Sequence, residues 1–247
     1  MAAVFRPGRE AFEFSDIDVR QQPDDVTCGP TCLQAVYALY GLDLPLEDVI
    51  ASVRNLDHGG TLGVMLGLDA LERGFDAKLF TYNLEIFDPS WFGGNRSDLV
   101  PHLLRRREVR PDPRLRVAID AYIEFLERGG DVRHRELTPD LLSNVVRRGL
   151  PPITGLSATY LYGCRREVFD GRASHYDDVR GEPVGHFVVV SGVDPATGAF
   201  RVSDPSQDNP LHGSGTYWVS PYRLVGAILL GVTTYDGNVL IVRPKES

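Results

Sequence analysis

Between Thr31 and Tyr40 the apolar residues Cys32, Leu33, Val36, Leu39 and Tyr40 recur on one helical face, and Gly41 follows as a stop. Pro30 suits the first turn of that helix, where a missing N–H costs nothing. The same pattern predicts helices over 46–53 and 62–73, the second introduced by Thr61 and closed by Gly74, and then a strand over 77–82. Residues 88–135 are richer in charge and turn formers. They hold two predicted helices, 97–107 and 113–128, ahead of Gly129 and Gly130, and read as a helical insertion. Thr138 and Pro139 open a helix to Arg148, Gly149 stops it, and a strand resumes over 152–157. A polar connection, 163–183, precedes the strongest strand signal, 184–191. Further strands are predicted over 199–203, 216–219, 227–232 and 239–242. Helices first and mostly antiparallel strands afterwards make an α+β layout, with no internal repeat.

The 247 residues admit one or two domains, and a single domain over 1–247 is expected. With 26 Lys and Arg against 34 Asp and Glu, the net charge of −8 repels a phosphate backbone, so nucleic acid is not an expected partner. Residues 1–14 lack the apolar core of a signal peptide, and no run approaches a membrane span, which predicts a cytoplasmic protein with no membrane partner. Three cysteines, Cys28, Cys32 and Cys164, do not form a secreted disulfide framework.

Cys28 lies at the start of the first helix, near its unpaired N–H groups and positive dipole end, surroundings that stabilise a thiolate. The plainer reading is that it packs, as free cysteines commonly do. Cys32, one turn on, reads as core. The Cys28–Cys32 spacing is one residue too long for a Cys-x-x-Cys redox pair, and no second Cys/His pair completes a zinc set. A thiolate nucleophile needs an imidazole and a group to orient it. His58, His102, His134, His175 and His212 stand in polar or turn-like stretches, whereas His186 interrupts an apolar strand and needs a partner. Hairpin arithmetic offers Asp204. A turn centred on Pro195 sets it opposite His186, and one centred on Ala196 sets it opposite Val188. Either register leaves both side chains on one face. As a turn residue before Pro205, Asp204 would leave His186 unpaired. Gln22, six residues before Cys28, is a candidate oxyanion donor beside the Cys28 backbone N–H.

In this order, Gln22, the run Cys28-Gly29-Pro30-Thr31-Cys32-Leu33, the run Gly185-His186-Phe187-Val188-Val189-Val190 and Ser203-Asp204-Pro205 resemble papain-like cysteine peptidases. The likeness is greatest to the bacteriocin-processing, double-glycine leader peptidases of peptidase family C-39 and their stand-alone relatives. It implies a papain-like fold, with the nucleophile at a helix N-terminus packed on a C-terminal antiparallel sheet, and a peptide or protein substrate with no cofactor. Carried over, Gln22 is the oxyanion donor, Cys28 the nucleophile, His186 the general acid and base, and Asp204 its orienter. The stretch between Cys28 and His186 is longer than the compact family pattern, because 88–135 and a candidate lid at 163–183 fall there. No export domain is read in the sequence, so cleavage after a double glycine does not carry over. Two alternatives stay open: acyl transfer, as in the phytochelatin-synthase-like branch of the clan, and a non-catalytic peptide-binding module. The arginines at 105, 106, 107, 110, 114 and 116, interleaved with Glu108 and Asp112, read as a solvated helix face before a docking site for acidic peptides.

Overall fold

The structure, a computed structural model, describes residues 11–14, 16–56, 59–93, 99–169, 174–206, 209–211, 215–234 and 236–245. A short strand β1 (Phe12–Glu13) precedes three helices, α1 (Cys28–Leu39), α2 (Leu46–Ser52) and α3 (Gly63–Glu72). After β2 (Phe75–Thr81) come α4 (Leu99–Val109), α5 (Pro113–Glu127), β3 (Asp131–Arg133) and α6 (Pro139–Arg147). The remainder is β4 (Ile153–Ser157), α7 (Ala158–Tyr162), β5 (Glu167–Phe169), β6 (Ser174–Tyr176), β7 (Gly185–Val193), β8 (Phe200–Ser203), β9 (Thr216–Val219), α8 (Pro221–Leu230) and β10 (Asn238–Pro244).

Among the described residues one sheet runs β3-β2-β10-β4-β7-β8-β9, with β1 paired to the end of β7. Its neighbours are antiparallel except β2 and β3. Helices cover both faces, which explains why β7 reads as an apolar run instead of an alternation. Phe187 and Val189 face a core shared with α1, α3, α4 and α5, while Val188 and Val190 face one shared with α6 and α8. The 88–135 segment is built into the first core. Leu103, Ile119 and Phe125 are fully buried there, and the Phe125 ring lies 2.7 Å from where a Cβ on Gly67 of α3 would stand.

The local signals act as their chemistry dictates. Asp112 accepts the N–H groups of Arg114 and Leu115 ahead of Pro113, and Thr138 accepts that of Leu141 ahead of Pro139. Gly41 leaves α1 at φ 83°, a left-handed conformation that favours glycine. Several expectations are corrected. The strand expected over 227–232 is the end of α8 and a following 3-10 turn. Pro221 sits in the first turn, and Leu224, Ala227 and Ile228 bury one face at helical spacing, so the period of the whole segment overrides the β-like composition of its end. The connection 163–183 carries the β5–β6 hairpin. The short elements β1, β3 and α7 were not expected. Thr61 does not cap α3, since its hydroxyl donates to the Arg54 carbonyl and the capping position is Leu62. The helix expected over 97–107 spans Leu99–Val109; residues 97 and 98 lie outside the described residues.

Candidate active site

Cys28 is the first residue of α1 and is 9% exposed. Two contacts fix the helix end against the sheet. The Cys32 thiol bonds to the Phe187 carbonyl at 3.4 Å, and Gly29 lets the backbone approach so closely that an added Cβ would lie 2.8 Å from Thr61 Cγ2 and 3.2 Å from Phe187 Cδ2. Cys32 is fully buried, and burial, followed by the charges of Cys28 and Asp204, pushes its thiol up.

His186 and Asp204 meet through a register change. Near the turn, Val193 pairs with Phe200 and Gly192 with Arg201. Continued unchanged, that ladder would set Asp204 opposite Val189, on the face away from His186. A β-bulge at Ser191 adds one residue to β7, so Val190 pairs with Val202 and Val189 with Ser203. Asp204 then falls across from Val188, one diagonal step from His186, and His186 Nε2 lies 2.8 Å from Asp204 Oδ1. The bulge is held by its own polar groups: the Ser203 hydroxyl donates to that of Ser191 at 2.7 Å, and the Ser191 carbonyl accepts the Phe14 N–H at 2.9 Å.

Asp204 has no exposed surface and is saturated with donors. Besides His186, Oδ1 accepts the Ser206 N–H at 2.9 Å, and Oδ2 accepts the hydroxyls of Tyr162 at 2.8 Å and Tyr217 at 2.5 Å. Burial alone would push its carboxyl up. The His186 charge and hydrogen bond and the two tyrosine bonds overcome that and hold it below the usual carboxylate range. Burial and the Asp204 charge push both tyrosines upward, so they stay protonated donors. His186 is 8% exposed. Burial opposes its charge, yet the Asp204 charge and bond, with a bond and charge from Cys28, push the ring up to about 10. With Nε2 on Asp204, Nδ1 is the nitrogen left to face the Cys28 sulfur.

The structure therefore joins Cys28, His186 and Asp204 in one chain of contacts. Gln22 stands apart: its side-chain amide donates to the Asp24 carbonyl at 2.6 Å, and among the described residues no hydrogen bond links it to Cys28. Its backbone N–H donates to the Pro205 carbonyl at 3.0 Å, which ties it to the Asp204 turn. Tyr162 and Tyr217 escaped sequence reasoning. Tyr217 had a signal, since it pairs with Val202 and shares a face with Asp204, whereas Tyr162 lies on the unexpected helix α7.

Cys28 and His186 open onto a cleft of about 620 Å³. One wall is the first turns of α5, through Pro113, Arg114, Val117 and Ala118, and another includes Glu182 and Pro183, so both long connections shape it. The other histidines are elsewhere. His102 stacks on Trp91, His134 meets the Thr81 carbonyl, His175 is exposed on β6, and His58 and His212 lie outside the described residues. Arg106 and Arg110 bind Glu85, and Arg107 binds Asp120. Among the described residues no three His, Cys, Asp or Glu side chains gather to hold a metal, and no helix is long and apolar enough to cross a membrane.

No family model and no curated protein matches the chain. Among solved structures, it is similar to the crystal structure of a C39-like peptidase from Bacillus anthracis. That match has a TM-score of 0.51 at 12% identity and covers 96% of this chain and 100% of the other. Looser likenesses, to the peptidase domain of Streptococcus ComA, a bifunctional ABC transporter, and to the cysteine protease xylellain from Xylella fastidiosa, have TM-scores of 0.45 and 0.43. Their identities are 13% and 14%, covering 93% and 98% of this chain and 99% and 91% of theirs. The chain has the papain-like α+β fold of the C39-like peptidases.

Proposed function

We propose that the protein is a cysteine peptidase or amidase of the cytoplasm whose reacting groups are Cys28 and His186, oriented by Asp204. The observation that carries this reading is the contact chain from Cys28 through His186 to Asp204 at the mouth of a cleft, on a fold shared with a C39-like peptidase. The Cys28 sulfur attacks the carbonyl carbon of a peptide or isopeptide bond, forming a C–S bond. The imidazolium of His186 gives its proton to the departing nitrogen as the C–N bond breaks, leaving a thioester. Water, deprotonated by the now neutral ring, attacks the thioester carbonyl and expels the Cys28 thiolate, with His186 again protonated. Asp204 fixes the ring through Nε2 and keeps Nδ1 toward the sulfur, and Tyr162 and Tyr217 are positioning residues that act through Asp204. Gln22 would supply an oxyanion donor with the Cys28 backbone N–H once its amide turns from Asp24.

A peptide-library cleavage profile read by mass spectrometry, with Cys28→Ala protein as control, tests the proposal. Cleavage by the wild type alone is expected, and equal cleavage by Cys28→Ala protein would overturn it. Adding free amines separates hydrolysis from transfer, because a transferase yields mainly amine-extended products and a hydrolase mainly the free acid.

A further inference from the structure

Asp236 lines the same cleft as Cys28 and His186 and takes no part in the chemistry above. It is 6% exposed. Its Oδ2 accepts the Gly63 N–H at 2.6 Å, and its Oδ1 accepts the Asn238 side-chain amide. Gly63 is the first residue of α3, whose own capping residue, Leu62, offers no side-chain bond. Asp236 therefore caps α3 from 173 residues away. Capping does not balance its charge. Burial still pushes the carboxyl up to about 7 against those two bonds, and among the described residues no cationic side chain bonds to it. A carboxylate has about four lone-pair sites, and two donors leave it able to accept more.

The carboxyl lies beside Gly155 and one edge of the Phe187 ring, on the lining it shares with Cys28 and His186. Asp236 Cγ is 3.0 Å, and Phe187 Cε1 3.1 Å, from where a Cβ on Gly155 would stand. Gly155 pairs with Phe187 on the sheet face that packs under α1 and α3. The other edge of the Phe187 ring lies against Gly29, beside Cys28. Asp25 and Glu182 add negative charge to the lining, and Arg114 on α5 opposes it.

We infer that Asp236 is a specificity-determining residue, selecting a substrate that carries a protonated amine or guanidinium beside the bond held at Cys28. The inference rests on the peptidase reading for its substrate, but recognition of the cation can be measured without turnover. The protein is Cys28→Ala, and the probes are fluorescent hexapeptide pools of neutral residues, blocked at both ends. One pool has lysine at a single position, one has Nε-acetyl-lysine there, and one has a free N-terminus instead. Above pH 7, where the carboxyl is ionised, the lysine or free-amine pool should bind about tenfold or more tightly than the acetyl-lysine pool, as expected of a charge-assisted bond in a partly dry site. Which of the two binds tighter identifies the source of the cation. In Cys28→Ala/Asp236→Asn protein that ratio should fall toward one. Equal affinity for all three pools in the Asp236 protein would overturn the inference, and this arm needs no second variant. So would a preference that survives Asp236→Asn in a protein whose melting curve remains cooperative. A purely capping role would lower the melting temperature and leave the ratio alone. If the wild type cleaves nothing while the ratio holds, the peptidase reading fails and the cation site stands; cleavage with no cation preference means the reverse.

Discussion

Replacing Asp204 by Asn preserves shape and an acceptor oxygen but removes the charge that holds His186. The carboxylate is fully buried and 2.8 Å from the ring, so solvent screens the pair little. Without that charge, burial governs the imidazole, which should titrate below its ordinary 6.5 instead of at about 10. At ~1.4 kcal/mol per pH unit this change amounts to about 5 kcal/mol, comparable to the ~3–5 kcal/mol for breaking one side of a buried ion pair. An NMR titration of His186 in wild-type and Asp204→Asn protein reads the shift directly, and the basic limb of kcat/KM should move down with it. Stability follows with a definite sign. The raised ring stabilises the fold fully below 6.5, and that contribution is lost as pH rises through about 10. The lowered carboxyl stabilises it above 3.8, and that contribution is lost as pH falls through its folded value. The difference in urea stability between the two proteins is therefore widest between 3.8 and 6.5 and narrows on either side. A His186 ring that titrates alike in both proteins would refute the reasoning.

Tyr217→Phe and Tyr162→Phe each remove a donor from Asp204 Oδ2, a bond to a charged acceptor of ~1.5–3 kcal/mol, so the acid limb of kcat/KM should move to higher pH while KM changes little. An unmoved acid limb in the double variant would count against a positioning role. Gly29→Ala should cost ~1–3 kcal/mol by overpacking and reduce kcat as the start of α1 shifts, since its Cβ would meet Thr61 at 2.8 Å; a denaturation midpoint and kcat equal to wild type would contradict the close approach. Phe125→Ala should remove ~3–5 kcal/mol from a single cooperative transition, because the ring is fully buried in the core shared with α1 and α3, and a separate melting step for α4 and α5 would contradict that shared core.

Helix α1, strand β7 and the β7–β8 hairpin were legible because each carries its own period and stop signals, from Gly41 to the turn at 194–198. Counting residues across that turn placed His186 and Asp204 on one face, yet the turn itself, which pairs Val193 with Phe200, would set them on opposite faces, and the bulge at Ser191 restores the register. That bulge was not legible, since it depends on bonds to Phe14 and Ser203. Helix α8 was misread because its last residues were weighed apart from the start at Pro221. Tyr162 and Asp236 gave little sign of their places. A tyrosine on a short helix and an aspartate before glycine are ordinary in sequence, and only tertiary packing brings one to Asp204 and the other to the cleft lining.

Alkylation with less than one equivalent of iodoacetamide, mapped by mass spectrometry, addresses the reacting sulfur most directly. Exposure alone would direct the reagent to Cys164, which is half-buried, ahead of Cys28. Activation by His186 reverses that order: Cys28 should be modified first, in step with loss of peptide cleavage, and its modification should slow in His186→Ala protein. Modification of Cys164 first, or cleavage that persists once Cys28 is fully alkylated, would contradict the assignment of Cys28 as nucleophile.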